Sequence, residues 1–177
     1  MNRLIGLFLL FSLALLAAMG CSNKGGTAEG ETDEQIAAGY VETLGYKIVD
    51  PAEEVAQYTL DQTMLENLDY MQLWSVQKQE PDAYFGKKII TYRFIVENHP
   101  LEQQYPPDEY RIAVNVMLAD HEVIGGTSGP LSIIKNLVVA GGEYSIEGKT
   151  LKEIKGLDYS QWLEHWKERY GAEVKLR

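Results

Sequence analysis

The chain has 177 residues, 45% of them apolar, and 16 Lys and Arg stand against 26 Asp and Glu, a formal net charge of −10. This length and apolar content suit about one domain with a core of its own, and the acidic balance excludes a nucleic-acid surface, which needs clustered positive charge. The sequence holds a single cysteine, which excludes an intrachain disulfide framework and zinc sites built on cysteine pairs.

The chain opens MNRLIGLFLLFSLALLAAMGC. One basic side chain, Arg3, precedes an apolar run from Leu4 to Met19, shorter than the ~20 residues that a membrane span needs. A basic start, an apolar middle and a small-residue end have the layout of a secretory signal peptide. Ala18, Met19 and Gly20 then run directly into Cys21. This junction resembles the lipobox of bacterial lipoproteins. The resemblance implies that the Cys21 thiol takes a diacylglyceryl group and that the chain is cleaved just before it. Each buried CH₂ contributes ~0.8 kcal/mol and stable anchoring takes about two acyl chains, which a diacylglyceryl group supplies. A buried core thiol, the common setting of a free cysteine, does not suit this junction. Without its first 20 residues the chain carries a charge of about −11, so its surface repels anionic headgroups and the lipid must hold it to the membrane. The expected organisation is a lipoprotein signal peptide over 1–20, a lipidated Cys21 and flexible linker over 21–32, and one α+β domain over 33–177.

The linker SNKGGTAEGET is small and polar and cannot bury enough surface to order. Thr32 and Gln35 have capping-box spacing, and Ile36, Ala37, Tyr40, Val41 and Leu44 then fall on one helical face, with Gly45 as the stop. YKIVD and VAQYTL read as short strands around Pro51. A second helix is expected over TMLENLDYMQLWSVQKQ, with Met64, Leu65, Leu68, Met71 or Gln72, and Ser75 on one side. KKIITYRFIVENH is the clearest strand, with Ile90, Tyr92, Phe94 and Val96 on one face and Ile89, Thr91, Arg93 and Ile95 on the other. Both faces are fairly apolar, which places it centrally in a sheet.

An acidic, proline-bearing loop, PLEQQYPPDE, leads to a hairpin over YRIAVNVMLADHEVIGG. Asp120-His121 forms its turn, and Gly125 and Gly126 end its second arm. LSIIKNLVVAGG reads equally as strand or buried helix. YSIEGKTLKEI gives a strand, a turn at Gly148 and a short helix capped by Thr150 and Glu153. In DYSQWLEHWKERYG, Trp162, Leu163, Trp166 and Tyr170 line one helical face, with Glu164, Lys167 and Glu168 opposite. The sum is a small α+β domain, a mostly antiparallel sheet packed by helices.

Several patterns approach known chemistry without reaching it. Gly148-Lys149-Thr150 ends like a phosphate-binding P-loop, but the leading glycine of that pattern falls on Glu143, whose charge repels phosphate. Ser128 follows Gly126 as in a nucleophile elbow, but Pro130 stands where the second glycine belongs. Asp120 and His121 are adjacent and do not form a relay in line with that serine. His99, His121 and His165 lack the spacing of a zinc pair, and each reads as a surface residue, exposed or hydrogen-bonded. The carboxylates are scattered, so no acid/base pair can be selected. No cofactor or metal is expected. The one candidate ligand surface is the aromatic stripe of Trp162, Trp166 and Tyr170, set against the reading that the stripe covers the sheet.

YMQLWSVQKQEPDAYFGKKIITYRFIVEN followed by AVNVMLADHEVIGG carries Gln72, Gln77, Tyr84-Phe85-Gly86-Lys87, Tyr92-Arg93-Phe94, Asn98, Val114 and Val123-Ile124-Gly125-Gly126. Residues 70–126 thereby resemble an uncharacterised domain, of unknown function, found in small exported lipoproteins of Gram-positive bacteria. An acidic residue often follows the glycine pair in that family, where this chain has Thr127. The resemblance implies an α+β fold and an exported location, and supplies no active site.

The expected function is therefore a membrane-anchored, extracytoplasmic interaction or accessory module at the cell envelope, without catalysis. Its partners are the membrane, through the lipid, and an envelope protein or cell-wall component. The alternatives are a glycan- or small-ligand-binding module and a cell-envelope hydrolase whose carboxylates the sequence does not identify.

Overall fold

The computed structural model describes residues 30–134 and 141–171. The signal peptide, Cys21 and most of the tether lie outside the described residues, as do positions 135–140 within LSIIKNLVVAGG.

β3 (Lys88–Glu97), β4 (Tyr110–Ala119) and β5 (Glu122–Ser132) form an antiparallel meander at the centre of a six-stranded sheet. Two-residue β6 (Tyr144–Ser145) adds to β5, and β1 (Lys47–Ile48) and β2 (Glu53–Thr59) share the far side of β3. β3 is thus central, as its two apolar faces predict. β2 exposes glutamates and carries a register shift between Glu54 and Ala56, features that blunt an edge against further pairing.

Successive side chains of a strand point to opposite faces, and each face has its own core. Ile112, Val114, Val116 and Leu118 of β4, with Phe94 and Val96 of β3, meet Ala37 and Val41 of α1 (Asp33–Thr43). Ile89, Met117, Ala119 and Ile124 face the other way, onto α2 (Leu68–Ser75) and α4 (Tyr159–Tyr170). The sheet therefore lies between helical layers, and both halves of each long strand are apolar for that reason.

The local signals hold where their partners are local. α1 is closed by the Thr32–Gln35 capping box and ends before Gly45, which takes φ +84°. α3 (Leu151–Lys155) has the Thr150–Glu153 capping box, and α4 has a third, Asp158–Gln161. The β4–β5 turn places Asp120 and His121 at φ +53° and +63°, a conformation that side chains other than glycine adopt at a cost. Lys87 pairs with Asp120 at 2.9 Å and Asp33 with His121 at 2.8 Å, tying the turn down on both sides.

Two expectations are corrected. The second helix is interrupted: a 3-10 turn over Gln62–Glu66 precedes Asn67, whose side chain accepts from Asp69 N–H at 2.9 Å and starts α2 afresh. Asn67 holds the extended backbone of an N-cap, so one helix cannot run through it. Gly125 and Gly126 do not end the hairpin arm, for β5 continues to Ser132. They sit inside the strand at φ +149° and +155°, next to a register shift at Met117/Leu118 that leaves Ile124 unpaired.

Candidate functional site

Gln77 explains the glycine pair. It lies just past α2 and is 2% exposed. Its Nε2 donates to Leu73 O at 2.7 Å and to Gly126 O at 3.0 Å, and its Oε1 accepts from Gly126 N at 2.8 Å. The amide thus pairs with the β5 backbone as a neighbouring strand would, beyond the reach of short β6. A Cβ at Gly125 would collide with Gln77 Oε1, and one at Gly126 with the Asn115 carbonyl oxygen. Positions 77, 125 and 126, which carry much of the resemblance described above, therefore act together as a clamp between α2 and the sheet.

Beyond this clamp one register line of the sheet is polar. Arg93, Asn115, Thr127 and Ser145 lie side by side across β3, β4, β5 and β6. Arg93 Nε donates to Asn115 Oδ1 at 3.0 Å, and Asn115 Nδ2 donates to Thr127 Oγ1 at 3.0 Å. Thr127, 2% exposed, faces the carboxyl of Glu143 just before β6. Crowding around that carboxyl pushes its pKa up, opposed by the Thr127 hydroxyl and the Arg93 guanidinium. Glu143 itself is exposed to solvent.

Glu143 stands on the wall of a cleft of about 370 Å³, within the ~300–1,000 Å³ of small-molecule sites. Gln72 and Ser75 come from α2, Tyr144 from β6, Thr150, Leu151 and Lys152 from the start of α3, and Leu157, Asp158 and Tyr159 from the approach to α4. Most of these side chains already have internal duties. Ser75 Oγ donates to Gln72 O at 2.6 Å, Asp158 accepts from Gln161 N–H at 2.9 Å, and the Tyr144 and Tyr105 hydroxyls meet at 3.2 Å. Leu151, Leu157 and Tyr159 supply apolar wall, with Tyr159 48% exposed at the rim, whereas the Tyr144 ring packs against Tyr105 in the core on the other face of the sheet. The cleft can hold a small molecule with an apolar body and present a carboxylate to it.

The residues singled out from sequence fall elsewhere. Trp162, Trp166 and Tyr170 are 5%, 3% and 6% exposed and belong to the core beneath α4. Their rings run as a column, with centroids 5.1 Å and then 4.5 Å apart, and Trp166 Nε1 donates to Leu65 O at 3.1 Å. Buried this way, most of each ring is closed to a ligand such as a sugar. The same three residues also line a depression of about 170 Å³ beside Glu80, Lys155 and Arg169. Cys21 lies outside the described residues.

Ser128 is 1% exposed within β5, and its hydroxyl donates to Ser145 O at 2.7 Å, so it is a strand residue rather than an elbow nucleophile. Lys149 and Thr150 form a turn and a helix cap. His99, expected at the surface, is 2% exposed. Its Nδ1 accepts from Leu101 N–H at 3.1 Å, its Nε2 meets Ile146 O at 2.9 Å, and its ring packs on Tyr46 at 4.6 Å. That pairing requires a neutral ring with the proton on Nε2, and burial lowers the pKa accordingly. Among the described residues no group of three His, Cys, Asp or Glu side chains stands together as a cation site, and no helix is long and apolar enough to cross a membrane.

Comparison with family models, with curated proteins and with solved structures finds no match to this chain.

Proposed function

We propose that this chain is a membrane-anchored lipoprotein on the extracytoplasmic side of the cell envelope, and that its domain is a non-catalytic binding module for a small ligand. The cleft between α2, β6 and the starts of α3 and α4 carries the binding part of this reading: it is of ligand size, has both apolar and polar wall, and includes Glu143, which sits beside the end of a polar relay. The leader and its junction at Cys21 support the anchor. The likeness of residues 70–126 to exported Gram-positive lipoproteins supports the same location and rests on the quoted residues alone. A binding role also fits the scaffold, because much of the cleft wall comes from α2, β6 and the capped starts of α3 and α4, which hold a site more precisely than a long loop would.

Thermal unfolding of the full chain in lipid nanodiscs tests the binding part, against muropeptides, amino acids, sugars, short peptides and organic ions. A saturable rise in Tm with one class, abolished by Leu151→Trp, which fills the cleft, is the expected result. No shift with any class would overturn it. Recovery of Cys21→Ala in the membrane fraction, at the level of the parent chain, would overturn the anchor.

A further inference from the structure

We propose that His99 is an acid-opened latch: the neutral ring holds the loop between β3 and β4 against the turn after β6, and protonation releases both. The latch works whatever the cleft binds.

Three observations carry it. First, the two ring nitrogens are committed in opposite senses. Nδ1 accepts from Leu101 N–H at 3.1 Å and so caps the 3-10 turn Pro100–Gln103, whereas Nε2 donates to Ile146 O at 2.9 Å. A protonated imidazole donates at both nitrogens, so in acid a second N–H meets the Leu101 N–H and that bond is lost. Second, among the described residues no carboxylate bonds to the ring, which is 2% exposed. Glu102 favours the charged ring through space, without a hydrogen bond to it. The Tyr46 hydroxyl shares Ile146 O at 3.3 Å, and Glu147 and Tyr40 act on that hydroxyl. Glu147 itself is held by Lys78 and by Ser145 Oγ. A buried charge without a bonded partner is costly, so the charged ring is more stable in water than in its slot. Third, both clamped segments are lightly held. Asn98 beside the ring sits at φ +67°, which residues other than glycine hold at a cost. β6 has two residues and pairs with β5 only at Thr127 and Ser128, and its turn packs on the ring, where a Cβ at Gly148 would stand 3.1 Å from His99 Cε1. Because β6 borders the cleft, release in acid loosens that wall.

Hydrogen exchange of the full chain in zwitterionic nanodiscs tests the latch, read by mass spectrometry from pH 7.5 to pH 5 and divided at each pH by the intrinsic rate. Peptides over 99–105 and 143–149 report the two clamped segments, and one over 112–118 reports the central strand. Opening of the two latch peptides is expected to rise more than about twofold towards pH 5, with about 30-fold as the ceiling for an open ring of pKa 6.5. These openings are expected to leave 112–118 protected. His99→Gln keeps a donor and an acceptor but takes up no proton, so its latch peptides should show no such rise. A smaller rise in the parent, an equal rise in His99→Gln, or a rise shared in full by 112–118, which marks global unfolding, would overturn the latch. If His99→Gln does not fold, an NMR titration of the parent's ring decides: protonation of His99 in step with exchange of its peptides supports the latch, and protonation without it overturns the latch.

Discussion

Gln77→Leu is the most informative single perturbation of the fold. Leucine nearly keeps the volume and removes three hydrogen bonds, to Leu73 O, Gly126 O and Gly126 N. Gly126 N–H and C=O then lie buried without partners, because β6 pairs β5 only at Thr127 and Ser128. Each buried unsatisfied group costs about 1–3 kcal/mol. Leu73 O sits on the half-buried side of α2, where water reaches it at lower cost. The expected loss is therefore about 2–6 kcal/mol, a large share of the ~5–15 kcal/mol of a whole domain. With a urea m-value of about 2 kcal/mol/M, the midpoint falls by roughly 1–3 M. Equilibrium urea unfolding followed by tryptophan emission measures it. A midpoint that moves by less than about 0.3 M, equivalent to ~0.6 kcal/mol at that slope, would refute the clamp.

Gly126→Ala is expected to destabilise by more than 2 kcal/mol and Gly129→Ala by less than about 1, because a Cβ at 126 meets the Asn115 backbone whereas one at 129 meets nothing within 4 Å; equal midpoints would contradict this. Trp166→Ala removes a core ring and orphans Leu65 O, for an expected cost of about 3–5 kcal/mol, while the parent's emission should be blue-shifted and resist iodide; red-shifted, readily quenched emission would place the aromatic column at the surface. His99 binds a proton more weakly when folded than its ordinary pKa of 6.5. The unfolded chain therefore takes up the proton first, and the stability that His99 contributes is complete above pH ~6.5 and declines as pH falls below it, levelling off beneath the folded pKa. His99→Gln should lack that part of the slope between pH 6.5 and 5, measured by urea midpoints, and an unchanged slope would contradict it.

Sequence was sufficient wherever the cause lay within a few residues. Thr32 with Gln35 and Thr150 with Glu153 met their partners three positions away, and the alternation from Ile89 to Val96 follows directly from a strand with a helix layer on either side. The errors arose where the deciding contact is remote. Gly125-Gly126 reads as a terminus because glycine usually punctuates, but its partner is the Gln77 amide 49 positions away from Gly126. His99 reads as a surface residue until β6 brings Ile146 O onto its ring. Trp162, Trp166 and Tyr170 give the same helical stripe whether they face the core or a ligand, and only the docking of α4 on Leu65 decides it. The cleft was illegible for a similar reason. Its walls come from four separated stretches of chain, and its carboxylate, Glu143, entered the sequence reading only as a residue that spoils a P-loop. The relay behind it had a faint signal, polar Arg93, Asn115 and Thr127 interrupting otherwise apolar strands, but their common register needs the strand pairing to be known.

The claim that this domain works through its cleft is tested most directly in cells. A photo-crosslinking side chain is placed at Tyr159, on the cleft rim, or at Gln57, on the exposed edge strand β2, and the protein is irradiated in place and weighed intact. The account predicts one discrete adduct at position 159, absent at 57 and lost when Leu151→Trp fills the cleft. An adduct at 57 with none at 159, or one at 159 that survives Leu151→Trp, would contradict it.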